Sequence, residues 1–373
     1  MVRVLMKGNE AVGAAAIAAG CRHFFGYPIT PQSELLEYMS AHLPEVGGVF
    51  LQSESEVAAI NLCYGAAGAG ARVMTGSSSP GIALMQEGIS YLAGAELPCV
   101  IVNIVRGGPG LGGIQPAQSD YFQSTRGGGD GDYRLLVYAP STVQEMADLV
   151  QVAFDKADRY RNPVMIVGDG MLGQIMEPVE ITERPADPTL PAKAWATTGT
   201  RDHPGRRNVV NSLFLAPDKL EHHIWELFDK YERMKRDEVL VEESGLDGAE
   251  VCIVAYGTTA RIVKSALREL AAEGVRVGLV RPITLWPFPE ESLARLPESV
   301  RDILVVEMSM GQMIDDVRIA NAGRRTVHFL GRTGGMIPVP TVIASQVRAI
   351  VAERRAGGAV PAHIVHGTEG EAR

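Results

Sequence analysis

The sequence predicts an α/β protein built on two open, mainly parallel sheets. Three observations carry this. Up to about residue 180, short apolar runs alternate with helical runs across brief connections, the pattern of strands joined by crossover helices. From about 181 to 248 the alternation lapses and Pro, Asp, Thr and Arg become frequent. Near Glu250 it resumes and runs to about 356. The expected organisation is a first domain over 1–180, a connecting segment over 181–248, a second domain over 249–356, and a flexible tail rich in Gly and charge over 357–373. A chain of 373 residues suits two domains better than one.

Taken in order, Asn9 to Ala19 is a small-residue helix stopped by Gly20, and His23 to Gly26 a short strand. Pro31 to His42 has the spacing of an amphipathic helix. Val49 to Gln52 is a strand, Glu54 to Ala69 a helix, Arg72 to Thr75 a strand and Pro80 to Leu92 a helix. Cys99 to Val105 is apolar throughout apart from Asn103, as a strand buried on both faces must be. Thr142 to Tyr160 is a helix and Pro163 to Val167 a strand. The connecting segment holds one helix, Pro217 to Arg236, and a turn at His203-Pro204-Gly205-Arg206-Arg207. In the second domain, Val251 to Ala255 is a strand and Thr258 to Ala272 a helix opened by a Thr cap. Val275 to Leu279, Ile303 to Val306 and Val327 to Leu330 are strands, and the last helix covers about Val339 to Ala356.

Bulk properties exclude several classes. Hydrophobic residues make up 46% and charged residues 21%, the profile of a globular protein with a sizeable core. The formal net charge is −9 with no long basic run, which argues against a nucleic-acid partner. No apolar run nears the ~20 residues that cross a bilayer. The opening Met1-Val2-Arg3-Val4-Leu5-Met6-Lys7 turns polar too soon for a signal peptide, so a cytoplasmic protein with no membrane partner is expected. Cys21, Cys63, Cys99 and Cys252 lie among apolar residues and never at CxxC spacing. They suit small buried hydrophobes rather than iron–sulfur ligands. The eight histidines form no ligand set: the adjacent His222-His223 diverge on a helix, and His203, His363 and His366 fall in polar stretches.

Two segments stand out chemically. Gly26-Tyr27-Pro28-Ile29-Thr30-Pro31-Gln32-Ser33-Glu34 is a stiff strand-to-helix turn in which Pro28 and Pro31 each fix a φ angle and restrict the residue before. Thr30 thus presents a hydroxyl from a nearly rigid place. Glu54-Ser55-Glu56-Val57-Ala58-Ala59-Ile60-Asn61 sets carboxylates at the start of a helix that soon becomes Gly65-Ala66-Ala67-Gly68-Ala69-Gly70-Ala71. Such a helix admits another backbone or a flat ligand at close range, and a carboxyl buried there holds a proton more readily than one in water. On pattern alone Glu56 also suits a helix-start Glu favoured by the dipole, worth under ~1 kcal/mol. Glu54 is its rival but is expected nearer solvent. Arg106 closes the apolar strand Ile101-Val102-Asn103-Ile104-Val105, where open α/β sheets place ligands. A solvated strand-end charge is the plainer reading.

Tyr27-Pro28-Ile29-Thr30-Pro31, the Glu before a small-residue helix, and Glu96-Leu97-Pro98 with Arg106 at the end of the next strand together resemble the alpha subunit of the 2-oxoacid:ferredoxin oxidoreductases, which are thiamine-diphosphate enzymes. The likeness runs from Lys7-Gly8-Asn9-Glu10 to about residue 350, and is greatest to the branched-chain (3-methyl-2-oxobutanoate) and 2-oxoglutarate types. It implies a pyrimidine-binding domain followed by a domain of the transketolase C-terminal type, the latter carried by Arg281-Pro282-Ile283-Thr284-Leu285-Trp286-Pro287-Phe288-Pro289. It also implies oxidative decarboxylation of a 2-oxoacid to acyl-coenzyme A, with ferredoxin reduced. Glu56 would be catalytic, sharing a proton with the aminopyrimidine ring. Thr30 and Arg106 would clamp the substrate carboxylate, the planar guanidinium offering a two-pronged fork. Tyr27, Pro28, Ile29, Ser77 and Ser78 would line the cofactor, the serines lying in the turn Thr75-Gly76-Ser77-Ser78-Ser79-Pro80-Gly81.

The glycine runs Gly107-Gly108-Pro109-Gly110-Leu111-Gly112-Gly113 and Gly127-Gly128-Gly129-Asp130-Gly131-Asp132 suit a phosphate cradle or flexible lids. Gly168-Asp169-Gly170 resembles the start of the Mg²⁺ and diphosphate motif of thiamine enzymes. That motif needs an adjacent Asn-Asn downstream, whereas Asn208 and Asn211 are separated and too far along, so a turn is expected. No metal site is expected on this chain. The resemblance then implies a half-site: a beta subunit supplies Mg²⁺ and the diphosphate side, while gamma and ferredoxin-like delta subunits carry the [4Fe-4S] clusters. Glu307 at a strand end is open between a partner contact and core-edge packing, and Trp286 and Phe288 suit packing. A subunit of a non-redox thiamine lyase or transketolase-type enzyme is the competing reading, since one fold serves both. A non-catalytic scaffold is a third, and the intact turn and Glu56 argue against it.

Overall fold

The computed structural model describes residues 3–184, 187–200, 204–357 and 361–366. The chain opens with strand β1 (Val4–Lys7), helix α1 (Gly8–Ala18), β2 (His23–Gly26), α2 (Ser33–His42), β3 (Val49–Gln52), α3 (Glu56–Gly68), β4 (Val73–Ser77), α4 (Ser79–Gly94) and β5 (Cys99–Val105). Next come α5 (Tyr121–Arg126), β6 (Leu136–Tyr138), α6 (Val143–Tyr160), β7 (Pro163–Asp169), α7 (Gly170–Gln174) and β8 (Met176–Val179). The connecting segment contributes α8 (Pro217–Asp237) and β9 (Val241–Ser244). The remainder is β10 (Val251–Val254), α9 (Gly257–Ala272), β11 (Val277–Pro282), β12 (Thr284–Trp286), α10 (Glu290–Ala294), β13 (Asp302–Glu307), α11 (Met313–Asn321), β14 (Thr326–Gly331), α12 (Pro340–Arg355) and β15 (Ile364–His366).

The α/β class and its two parallel-dominated sheets are as expected. The first sheet has seven strands in the order β12-β6-β7-β5-β4-β2-β3, and the second has six in the order β15-β14-β13-β10-β11-β9. Only β12 on β6 and β9 on β11 pair antiparallel within them. The central strand β5 is buried along its whole length, and its side chains alternate. Val100, Val102 and Ile104 enter a core closed by α1, α2 and α6. Ile101 and Val105 enter a second core shared by α3, α4 and one face of the second sheet. Helices α9 and α12 cover the other face of that sheet. The two domains are thus welded by a common apolar core rather than strung on a linker.

Four expectations need correction. Strand β9 falls in the stretch read as a connector, yet it pairs with β11 in the second sheet. Strand β12 follows β11 directly but crosses to the first sheet. Part of the stretch read as a tail forms β15, whose β-branched Ile364 and Val365 pair with β14, while 358–360 and 367–373 lie outside the described residues. His203 also lies outside them, whereas Pro204 and Gly205 do turn. Thr258 does not cap α9: the cap position is Tyr256, and Thr258 is buried inside the first turn. Of the two approaches expected at the Gly/Ala end of α3, backbone is the one seen: Thr197 N–H donates to the Gly68 carbonyl at 2.8 Å and Ala196 packs against Gly70.

Candidate active site

The strand ends of the first sheet converge on one edge, where an open α/β sheet binds ligands. Strands β2, β3, β4, β5 and β7 run parallel, so the segments following Gly26, Gln52, Ser77, Val105 and Asp169 all emerge there. Glu56 opens α3 behind the cap Ser55, whose Oγ accepts from the Ala58 N–H. It is 5% exposed, while Glu54 faces solvent. The carboxyl has one hydrogen-bond partner among the described residues, the hydroxyl of Ser77, at 3.4 Å. Gly81, in the first turn of α4, carries no side chain for a steric reason: a Cβ there would overlap both Ser77 Oγ and Glu56 Oε1.

Arg106 ends β5 nearly buried, at 7% exposure. Its Nη1 donates to the backbone carbonyl of Thr30 at 2.9 Å and its Nη2 to the carbonyl of Leu111 at 3.0 Å. Its Nε is buried without a partner. The structure therefore brings Thr30 and Arg106 together through the main chain of Thr30, leaving the threonine hydroxyl exposed. Ser79 joins the two halves of the site, since its Oγ accepts from Arg106 N–H at 3.0 Å from the turn that also carries Ser77, Ser78 and Gly81. Tyr27 and Pro28 are exposed and Ile29 half-buried.

Sequence reasoning named Ser78 but missed the other buried polar groups around this edge. Gln32 has neither amide atom partnered, and the hydroxyls of Ser53 and Ser78 are likewise unpaired. Buried polar atoms of this kind are costly unless water or a ligand serves them. Gln32 lies against Gly76, where a Cβ would come within 2.7 Å of its Nε2. A polar, glycine-relieved floor beside a buried carboxyl fits the aminopyrimidine end of thiamine diphosphate. Asn103 donates to Asp120 at 2.9 Å, and burial pushes the Asp120 carboxyl up.

Other candidates resolve as structure. Asp169 caps α7, accepting from Met171 and Leu172 N–H, and Thr258 of the second domain hydrogen-bonds to it. Its Gly-Asp-Gly is thus a domain joint. Glu307, at the end of β13, is fully buried and accepts from the N–H groups of Gln312, Met313 and Ile314, so it satisfies the free donors at the start of α11. The second glycine run is not a free lid: Gly128 N–H donates to Gln86 and Gly129 N–H to Tyr133. The first run closes on itself through Gly113 N–H to the Gly107 carbonyl. Trp286 packs edge-on against Tyr231. His223 bonds the Gly94 carbonyl. Among the described residues no cluster of three or more His, Cys, Asp or Glu forms a metal cage, and all four cysteines are buried and free. No described helix is long and apolar enough to cross a membrane.

Comparison with known proteins gives these arrangements a context. Residues 14–223 match the family described as pyruvate flavodoxin/ferredoxin oxidoreductase, thiamine diP-bdg, and residues 249–343 match pyruvate:ferredoxin oxidoreductase core domain II. The chain is 49% identical over 353 residues to the ketoisovalerate oxidoreductase subunit VorB of Methanothermobacter marburgensis, covering 95% of this chain and 99% of that one. It is 36% identical to the 2-oxoglutarate synthase subunit KorA of the same organism, covering 92% and 97%. Among solved structures, it superposes with a TM-score of 0.82 and 28% identity on the 2-oxoglutarate:ferredoxin oxidoreductase from Magnetococcus marinus with 2-oxoglutarate, coenzyme A and succinyl-CoA bound. That match covers 93% of this chain and 65% of the longer solved one. A split-gene transketolase matches in fold alone, at a TM-score of 0.57 and 15% identity.

Proposed function

The chain belongs to the 2-oxoacid:ferredoxin oxidoreductases, the family of pyruvate flavodoxin/ferredoxin oxidoreductases, and from that premise we propose that it is the alpha-type subunit of a coenzyme A-acylating enzyme acting on a branched-chain 2-oxoacid. The reaction converts the oxoacid and coenzyme A to acyl-coenzyme A and CO₂, and two electrons pass to ferredoxin. Preference for a branched substrate rests on the higher identity to the ketoisovalerate relative; 2-oxoglutarate is the next choice. Family membership removes the main ground for the non-redox lyase or transketolase-type reading.

The single observation that carries the site is Glu56, a buried carboxyl with one long hydrogen bond and no cation beside it among the described residues. Such a group is costly unless a donor completes it. The chemistry that thiamine diphosphate supplies when bound is nucleophilic attack on the oxo carbon and storage of the electron pair left as CO₂ departs. Glu56 holds a proton toward the aminopyrimidine nitrogen, with Ser77 fixing its carboxyl and Ser78 offering a free hydroxyl. Tyr27, Pro28 and Ile29 form the wall of the same edge. Arg106, through its unpaired Nε, and the exposed hydroxyl of Thr30 orient the substrate carboxylate.

A partner subunit completes the site. Tyr27, Leu51, Val57 and Leu84 are large apolar residues left exposed on the elements around Glu56, which supports a protein surface covering this edge. A beta subunit would bring Mg²⁺ and the diphosphate side, and gamma and delta subunits the [4Fe-4S] clusters, in the cytoplasm. The test is to purify the complex and assay it with coenzyme A and ferredoxin against a panel of 2-oxoacids. A brown complex that reduces ferredoxin fastest with 3-methyl-2-oxobutanoate is expected. A colourless, ferredoxin-independent activity would overturn the reading, and a preference for 2-oxoglutarate would overturn the substrate.

A further inference from the structure

The turn that presents Thr30 is held from behind by residues that nothing in the reaction itself requires. Ile29 to Gln32 closes on its own hydrogen bond, Gln32 N–H to the Ile29 carbonyl at 2.9 Å. This leaves the carbonyls of Thr30 and Pro31 pointing outward. Arg106 takes the first. The second is taken twice: Asn9 Nδ2 donates to the Pro31 carbonyl at 2.7 Å and Gln174 Nε2 at 3.0 Å. Both amides spend their remaining N–H on one acceptor, Glu34 Oε2, at 2.9 and 2.7 Å. Lys7 then neutralises Glu34 through Oε1 at 3.0 Å. Burial works against that charge, but Lys7 and the two amides hold the Glu34 carboxyl below its usual range.

The brace depends on close packing between α1 and α7. A Cβ on Gly8 would overlap the Leu172 carbonyl, and one on Gly173 would stand 2.8 Å from Asn9 Oδ1. Glycine at both positions lets two helices from opposite ends of the domain deliver their amides to the same pair of oxygens. The exposed side of the turn opens on a cleft of about 740 Å³ that Thr30, Pro31 and Gln174 line.

We infer that Asn9 and Gln174 are positioning residues for substrate recognition, fixing the Pro31 carbonyl so that Thr30 meets the 2-oxoacid carboxylate. This rests on the proposed role of Thr30. In the purified holo-complex, Asn9→Ala and Gln174→Met each remove two donors, and Gln174→Met keeps the side-chain volume should Asn9→Ala fail to assemble. Each is expected to raise KM for the oxoacid roughly ten-fold, the scale of one lost hydrogen bond to a fixed group. The KM for coenzyme A should be unchanged, and calorimetric affinity for an unreactive 2-oxophosphonate analogue should fall in parallel. A paired exchange, Asn9→Asp with Glu34→Gln, restores a donor–acceptor link between those two positions but not the bond to Pro31, so oxoacid KM should stay raised. Unchanged oxoacid KM and analogue affinity in both single variants, an equal rise in the coenzyme A KM, or recovery in the paired exchange would each overturn the inference. Thr30→Ala separates the two levels. If it leaves oxoacid KM untouched, the role of Thr30 fails; if it raises KM while the amide variants do not, only the brace fails.

Discussion

Glu56 Oε1 stands 3.4 Å from Ser77 Oγ, and that contact joins the start of α3 to the end of β4 across the floor of the site. It is the sole hydrogen bond that the described residues give this carboxyl. Glu56→Gln keeps the shape and the serine contact but gives up the exchangeable acid proton. Turnover of the complex should fall ~10²-fold or more, with the melting midpoint of the chain little changed. Near-normal turnover would remove Glu56 from the chemistry.

Gly81 tests the same floor without replacing an ionisable group. An added methyl cannot avoid both Ser77 Oγ and Glu56 Oε1, because it grows from a helix backbone fixed by its neighbours. Gly81→Ala should push the carboxyl from its place. Expected outcomes are weakened cofactor retention after gel filtration and a loss of activity comparable to that of Glu56→Gln. An alanine variant that keeps both would show that the carboxyl tolerates movement.

Arg106 spends two nitrogens on carbonyls, so its loss has two consequences. Arg106→Lys retains the charge but cannot serve Thr30, Leu111 and a substrate together, since an ammonium lacks the planar fork. The oxoacid KM should rise about ten-fold for Lys and ~10²-fold for Ala, each hydrogen bond to a charged group contributing about 1.5–3 kcal/mol. Coenzyme A KM serves as the control; a matching rise there would point to general loosening of the 107–113 loop.

Much of the parallel scaffold was legible in the sequence because buried strands leave continuous apolar runs. His23–Gly26 and Cys99–Val105 have the predicted bounds. Several of the shortest strands were not legible. β1, β6, β9 and β12 are three or four residues long, and β1 and β9 face solvent for much of their length. Periodicity has too little length to speak in such pieces. The pairing of Thr30 with Arg106 was implied by the family resemblance, while the stiff turn and the strand end placed each of them on its own. Asn9 and Gln174 escaped notice because an amide is chemically neutral and their shared target depends on helix packing distant in sequence. The one available hint was glycine beside each of them.

The second domain carries a pH-dependent lock of its own. His328 is fully buried; its Nδ1 accepts from the His363 N–H, so the ring proton sits on Nε2 and is donated to Asp302 at 3.0 Å. Arg354 grips the same carboxylate through Nε and Nη2 at 3.0 and 2.6 Å. Burial pushes the Asp302 carboxyl up, but His328 and Arg354 outweigh it and hold the carboxyl below its usual range. A carboxyl depressed on folding adds stability that is in full force above its unfolded pKa, about 3.9, and is lost as pH falls through the lower folded value. Asp302→Asn should therefore cost about 2–3 kcal/mol at pH 7, the scale of hydrogen bonds to a charged group. The gap between wild type and variant should narrow steadily below about pH 4. Urea midpoints of both proteins, taken from pH 7 downward, give the comparison; a gap that stays constant with pH would mean that packing, not the charge on Asp302, holds His328 and the strand behind it.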